Sequence, residues 1–310
     1  MAVFGTAEAK VLLPRNIADG MITEARTTST VAKLSGREPQ KFGETEYITF
    51  NDFPKAEFVE EGAQKGSTKG GYGSVKSKPR KAQVTMRFNE EVQWASEDHQ
   101  LSILKDLAGA GQIALSRALD LGLYHRVNPL TGTVISGWEN YLGKTEHSAE
   151  LTAGVDADAV IRKAVGLLVN RKVPASVNGL AIDPRLTWSL SELQTKLANG
   201  DPSGVQRYPQ LGFGTGLESF MGINAAQGDT VSGSPEASTD TLIRGIVGDF
   251  QNGIRWGIQR ELPVELIRFG DPDGQGDLKR HNQIALRLEI VYGWYADETK
   301  FATIKAPSGE

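Results

Sequence analysis

Residues 61–81 read EGAQKGSTKGGYGSVKSKPRK, and the fold turns on how this stretch is understood. Its five glycines (Gly62, Gly66, Gly70, Gly71, Gly73) leave nothing to pack, and no acid falls between Lys65 and Lys81, a span that holds Lys65, Lys69, Lys76, Lys78, Arg80 and Lys81. On either side the sequence turns strand-like. Tyr47-Ile48-Thr49-Phe50 has β propensity, and Phe53, Phe58 and Val59 continue in an extended, Pro-interrupted style. Beyond the glycines, Ala82, Val84, Met86 and Phe88 alternate with Lys81, Gln83, Thr85 and Arg87, the period of a strand with one buried face. Hairpin loops usually hold about 2 to 5 residues. At about 3.3 Å per residue, ten residues each way carry the tip roughly 30 Å from the body. Such a loop gains nothing from its own domain and makes sense if a neighbouring molecule holds it.

Working outward, residues 1–45 bury little. Val11-Leu12-Leu13 and Met21-Ile22 are isolated apolar beads, and residues 26–35, RTTSTVAKLS, are too polar to close a core alone. They read as a disordered tail or as an arm ordered by docking on another part of an assembly. After the second strand a long helix begins at Ser96, with Glu97 and Asp98 in its first turn, where the helix dipole favours acids. Leu101, Leu104, Leu107, Ala108, Gly111, Leu115, Ala118 and Leu119 recur at spacings of three and four to about Tyr124. The small run Ala108-Gly109-Ala110-Gly111 allows close approach, and Asn128-Pro129 and Gly132 end the element.

An α/β region follows. Asp156 stands as N-cap to a helix with stripe Val160, Ile161, Ala164, Leu167 and Leu168. Leu180-Ala181-Ile182 is a short buried strand. Asp183-Pro184 opens a helix expected to carry Leu186, Leu190, Leu193 and Leu197 and to stop at Asn199-Gly200. Residues 203–241 are mostly Gly, Ser, Thr and Pro around pieces such as Phe220-Met221-Gly222-Ile223. The C-terminal stretch is β: residues 264–269, a polar turn (DPDGQGDLKRHN), then Ile284, Leu286, Leu288, Ile290, Tyr292 and Trp294 at every second position. That amphipathic strand is suited to cover the long helix.

The 310 residues balance 34 Lys/Arg against 38 Asp/Glu, a formal charge of −4, which excludes a wholly basic nucleic-acid grip. Cys is absent, so disulfide, zinc-thiolate, iron–sulfur and cysteine-nucleophile chemistry are excluded. No apolar run approaches the roughly 20 residues of a membrane span, and residues 1–15 lack a signal-peptide core, so a soluble, unexported chain is expected.

No catalytic constellation emerges. His99, His125, His147 and His281 lie outside any recognisable triad context and read as surface or interface residues. Glu60-Glu61 and Glu90-Glu91, if on strands, point to opposite faces and share no proton. Gly137 to Thr145 has five residues between its glycines where a P-loop needs four, and residues 212–216, GFGTG, lack the dinucleotide spacing. Asp271 to Asp277 resembles a calcium loop at Gly276 but carries Gln275 and Asn282 where ligands belong, and turn chemistry explains the same letters. The Lys65–Lys81 loop suits phosphates, yet Tyr72 is its only stacking residue.

The order of parts resembles the major capsid protein of tailed double-stranded-DNA bacteriophages, a fold shared with encapsulins and herpesvirus shells. Local echoes run the length of the chain: residues 56–67, AEFVEEGAQKGS; residues 114–122, ALSRALDLG, with Asp120; residues 180–202, LAIDPRLTWSLSELQTKLANGDP; Gly248-Asp249-Phe250; residues 285–290, ALRLEI; and Phe301-Ala302-Thr303-Ile304. The resemblance implies an α+β fold. Its parts are an N-terminal arm (1–45), an extended loop with flanking strands (46–91), a peripheral domain carrying the spine helix (92–149 and 264–310) and an inserted axial domain (150–263). It implies a non-enzymatic subunit without cofactor or metal, forming homo-hexamers and homo-pentamers of an icosahedral shell around packaged double-stranded DNA. Assembly would take place in the host bacterial cytoplasm, with a separate scaffolding protein or none, a portal and a decoration protein as partners, and no membrane. The inter-subunit contact would fall on Lys65, Lys69, Gly70, Gly71, Tyr72, Lys76, Lys78 and Arg80. Some relatives crosslink a loop Lys; Lys69 and Lys76 are the candidates, but no partner Asn or acid is identifiable, so non-covalent locking is expected. The rival readings are an encapsulin-like compartment, a nucleic-acid-binding module using the basic loop, and a hydrolase.

Overall fold

The computed structural model describes residues 29–52, 56–67, 71–94, 97–171, 173–197, 201–211, 216–261 and 264–307. In chain order these form α1 (Thr30–Leu34), β1 (Thr45–Asp52), β2 (Gly71–Ser77), β3 (Arg80–Asn89), the long α2 (Glu97–His125), β4 (Ser148–Glu150), α3 (Ala157–Val169), β5 (Gly179–Ile182) and α4 (Pro184–Ser191). The hairpin β6 (Gln194–Lys196) and β7 (Pro202–Gln206) follows, then β8 (Ser219–Phe220), β9 (Ile223–Gln227), β10 (Ile243–Gly248), α5 (Phe250–Gly253), β11 (Ile254–Glu261), β12 (Glu265–Ile267), β13 (Gln283–Ala296) and β14 (Phe301–Lys305).

Two sheets organise the molecule. In the first, β13 pairs antiparallel with β3 along one edge and with β12 and β11 in succession along the other. Its Leu286, Leu288, Ile290, Tyr292 and Trp294 pack with Leu115, Leu119, Leu123 and Tyr124 of α2 in one buried cluster. The long strand therefore covers the long helix, as the two periodicities require. Two glycines of α2 face this sheet, and Gly109 does not: a Cβ on Gly111 would meet Leu288 Cδ1 at 3.0 Å and Met86 Cε at 3.3 Å, and one on Gly122 would meet the Trp294 ring at 2.8 Å. Ala82, Val84, Met86 and Phe88 of β3 line the same cluster.

The second sheet is six-stranded, in the order β4-β14-β10-β5-β9-β8. Its core joins Leu180, Ile182, Val247, Ala302 and Ile304 to Val160, Ile161, Ala164 and Leu168 of α3 and Leu186 and Leu190 of α4. Strand β14, expected with residues 264–310 in the peripheral part, lies between β4 and β10 in this sheet. Strand β11, inside the expected axial range, pairs instead with β13. Hydrogen-bond partners rather than chain order assign both strands.

Three local expectations change. The helix opened by Asp183, whose carboxylate accepts Arg185 N–H at 2.8 Å, stops at Ser191 rather than continuing through Leu197, and residues 194–196 turn into a strand. Ser189 and Ser191 hydroxyls donate to the carbonyls of Arg185 (3.1 Å) and Trp188 (2.6 Å), local bonds that weaken the last helical turn. The expected stop at Asn199-Gly200 lies outside the described residues. Asp156 precedes α3 but sends its carboxylate to Arg207 (3.0 Å) and Lys196 (3.3 Å) instead of capping. Finally, β13 is not solvated on its second face, since Ala285, Val291 and Tyr295 are buried as well.

Candidate assembly interface

Strands β1 and β2 form a two-stranded ribbon, and residues 56–67 beyond it are exposed throughout. Register explains which side of the ribbon has support. Thr45, Tyr47, Gly73 and Val75 turn inward and are partly covered, and Tyr47 stacks on Tyr295 of β13 with centroids 5.2 Å apart. Glu46, Ile48, Ser74 and Lys76 face away and are exposed. Phe58 is fully exposed and Val59 is 40% exposed, so the loop presents apolar surface to solvent. Two-stranded ribbons are marginal on their own in water.

Three of the six cations singled out in sequence stand beside acids. Lys76 stands directly opposite Glu46 in the ribbon register, and Lys78 Nζ lies 3.9 Å from a Glu44 carboxylate oxygen. Lys81 pairs with Glu289 at 2.7 Å. Lys65 is exposed and makes no ion pair among the described residues. Gly71 opens β2; the Tyr72 backbone pairs with Phe50; Lys69 and Gly70 lie outside the described residues. Glu46 lies in β1, Glu44 just before it and Glu289 in β13, all outside the run of residues 65–81.

Arg80 is a correction. Expected on the contact loop, it is only 9% exposed, with its guanidinium over the rings of Trp138 (4.5 Å) and Trp294 (3.9 Å). Its Nη1 is buried with no hydrogen-bond partner among the described residues, and burial lowers its pKa to about 10. It begins β3, where the period-two pattern turns it toward α2, and the two indoles take the place of an acid.

The arm also departs from expectation, because residues 29–43 dock on their own chain. Asp120, fully buried in α2, collects five neutral donors. Oδ1 accepts the Ser29 hydroxyl and Val31 N–H (3.3 Å); Oδ2 accepts Thr30 N–H (2.8 Å), Thr30 Oγ1 (2.9 Å) and Thr230 Oγ1 (2.7 Å). Tyr124, one turn on, meets Thr30 Oγ1 at 2.9 Å. Burial raises the Asp120 pKa against the opposing pull of these bonds, and burial next to Asp120 puts the Tyr124 phenol well above its usual range. Ser29 also caps α1 through Ala32 N–H at 3.1 Å. Ser29 placed before Val31 and Leu34 is the sequence signal for this docking.

The same helix clamps residues 229–236. Arg117 holds Asp229 (2.8 Å) and Glu236 (2.5 Å), which keeps its guanidinium charged. His125, expected at a surface or interface, is buried and donates from Nε2 toward the carbonyls of Thr230 (3.2 Å) and Val231 (2.9 Å); burial lowers its pKa to about 4. The calcium-like loop is engaged by an arginine: Arg87 bridges Asp271 (3.1 Å), Asp273 and the Gly276 carbonyl (2.9 Å). Lys144, in the near P-loop, pairs with Glu298 at 2.9 Å.

No family model and no curated protein matches the chain. Solved structures do. The capsid of a native GTA particle shares the fold, with TM-score 0.58 and 13% identity over 92% of this chain and 91% of that one. A chain from Gordonia phage Cozz aligns at TM-score 0.75 and 26% identity, over 99% and 96% of the two chains. A chain from Mycobacterium phage Ogopogo reaches TM-score 0.78 and 40% identity, over 90% and 92%. The chain belongs to the major capsid proteins of tailed bacteriophages. The capsid protein is thus a structural, self-assembling subunit of the virion shell. Its α+β architecture is the family's, with the spine helix at α2. Among the described residues, no helix is long and apolar enough to cross a membrane, and no group of three or more acidic or histidine side chains is gathered as for a metal ion.

Proposed function

We propose that the capsid protein tiles an icosahedral shell as hexamers and pentamers around packaged double-stranded DNA, and that its β1–β2 ribbon and residues 56–67 lie on an adjacent subunit. The observation that carries this reading is the ribbon itself, which is two-stranded, covered by its own chain on one side only, and tipped with the fully exposed Phe58. A neighbour supplies the missing cover. Many modest contacts linked in one plate give a stability that no single contact has. The six-stranded sheet with α3 and α4 forms most of the axial part, and α2 with the β13 sheet the peripheral part. We read its role as wholly structural, without catalysis, assembled in the host cytoplasm with a scaffolding protein or none, a portal and a decoration protein.

The nucleic-acid reading of the basic loop is disfavoured by the ion pairs of Lys78 and Lys81, by Glu46 opposite Lys76 in the ribbon register and by the burial of Arg80. Negative-stain microscopy and size-exclusion chromatography of the chain expressed alone test the proposal. Closed shells, tubes or sheets are expected. A stable monomer that stays monomeric when the scaffolding protein is added would end it. Boiling purified shells in detergent should give single subunits, since no covalent lock is expected.

A further inference from the structure

The bed on which the arm lies is built from two glycines. Gly257 of β11 and Gly293 of β13 are direct cross-strand partners on the face turned away from α2. Residues 37–43 run across them. Glu38 N–H donates to the Trp256 carbonyl at 2.9 Å, and Arg37 bridges to Trp256 in parallel register. The Glu38 carboxylate meets Arg255 at 2.6 Å. Gln259 donates to the Gly43 carbonyl (3.1 Å) and accepts Gly43 N–H (3.3 Å), while Gln40 donates to the Tyr47 hydroxyl at 3.2 Å. A methyl on Gly257 would fall on the Glu38 carbonyl oxygen, and one on Gly293 on the ends of the Gln40 and Gln259 side chains. Neither glycine has the left-handed backbone that would demand glycine for conformation, whereas Gly43, where the arm passes to the ribbon, does, with φ +129°. Glycine inside a strand weakens it, so the sheet alone gives no reason for a glycine pair here.

We infer that the Gly257–Gly293 trough is the seat that sets the launch direction of the β1–β2 ribbon, so that these two glycines position the ribbon for shell assembly rather than build the sheet. The inference rests on the proposed role of the ribbon. The strap is fixed at one end by Asp120 and at the other by Gln259 and the trough, and β1 leaves two residues after Gly43. Lifting the strap moves the root of the ribbon and with it the distant tip.

The full-length chain carrying Gly257→Ala, Gly293→Ala, or Gly293→Ala with Gln40→Ala is compared with wild type by thermal melting, trypsin cleavage at Lys41, and negative-stain microscopy. For Gly257→Ala, where the clash is with backbone, the melting temperature should hold or rise, cleavage at Lys41 should quicken about tenfold or more, and assembled particles should be lost. Gly293→Ala should show the same in weaker form, and Gln40→Ala in that background should restore assembly in part, since it removes one of the two side chains the methyl meets. Wild-type cleavage and wild-type particles for Gly257→Ala would overturn the inference, as would a lowered melting temperature with unchanged cleavage. A wild-type chain that assembles under no condition would remove the shell reading instead, and cleavage at Lys41 would still judge the seat.

Discussion

Two polar stretches, residues 29–43 and residues 56–77, resemble each other in composition and differ in fate. Both mix Ser, Thr, Gly and Lys with a few apolar residues. The first is tied to its own chain at Asp120, at Trp256 and at Gln259; the second stands out as a ribbon and an exposed loop. The difference lies in what receives them. A buried carboxylate with unfilled acceptor positions and a trough without side chains are specific receptors, and the first stretch has both. The second is covered at its root, where Gly73, Val75 and Ser77 turn inward, while residues 56–67 stay exposed among the described residues. Polar composition does not distinguish a docked strap from a reaching arm; the complementary surface does.

Several experiments break or sharpen this contrast. Removing the receptor should have the largest effect on stability. Asp120→Ala leaves two backbone N–H groups and three hydroxyls without their acceptor, and urea unfolding should show a loss of about 3 kcal/mol or more. Second comes pH. His125 is neutral in the folded state with a pKa of about 4, below the usual 6.5, so the unfolded chain binds its proton first as pH falls. Stability from this group is complete above about pH 6.5 and declines toward pH 4, by roughly 3 kcal/mol at most. Asp120 carries the opposite sign, because burial raises its carboxyl pKa and the folded state takes up that proton first. His125→Gln should therefore flatten the decline in a urea series between pH 7 and pH 4.

Third, Arg80→Ala should cost about 2 kcal/mol through lost ring contacts and a cavity, while Arg80→Met should cost under about 1 kcal/mol, because Nη1 has no partner to lose. Equal losses in thermal melts would show that the charge matters beyond the packing. The smallest stability effect belongs to the ribbon. Phe58→Ser should change stability by less than about 0.5 kcal/mol yet abolish particles under the microscope. A large loss of stability would mean that the loop folds back on its own chain.

Much of this architecture is legible in sequence. The spine helix, β3, β5, α3 and β13 follow from apolar spacing, and the long Gly/Lys insertion between β1 and β3 follows from its misfit with any short hairpin. The misses share one cause: partners distant in sequence. Asp120 stands out in the sequence only through the family resemblance, and its five donors come from residues 29–31 and Thr230, about 90 and 110 positions away. Arg80 reads as loop because Lys78 and Lys81 flank it, and the two indoles that bury it lie at 138 and 294. His125 reads as surface because its carbonyl partners belong to a Gly/Ser/Thr stretch without a pattern of its own. Leu193 and Leu197 continue a helical stripe that the Ser189 and Ser191 hydroxyls and the pairing with β7 cut short.

Strand β14 carries a consequence for synthesis. It lies between β4 and β10, so the six-stranded sheet has a gap until residues 301–305 arrive, after every strand they join has left the ribosome. A chain that stops short of residue 301 leaves Val247, Phe250 and Ala149 without the strand packed against them. Such a fragment has arms and no plate. Loss of residues 301–305 thus removes the one strand that joins β4 to β10 and opens the six-stranded sheet.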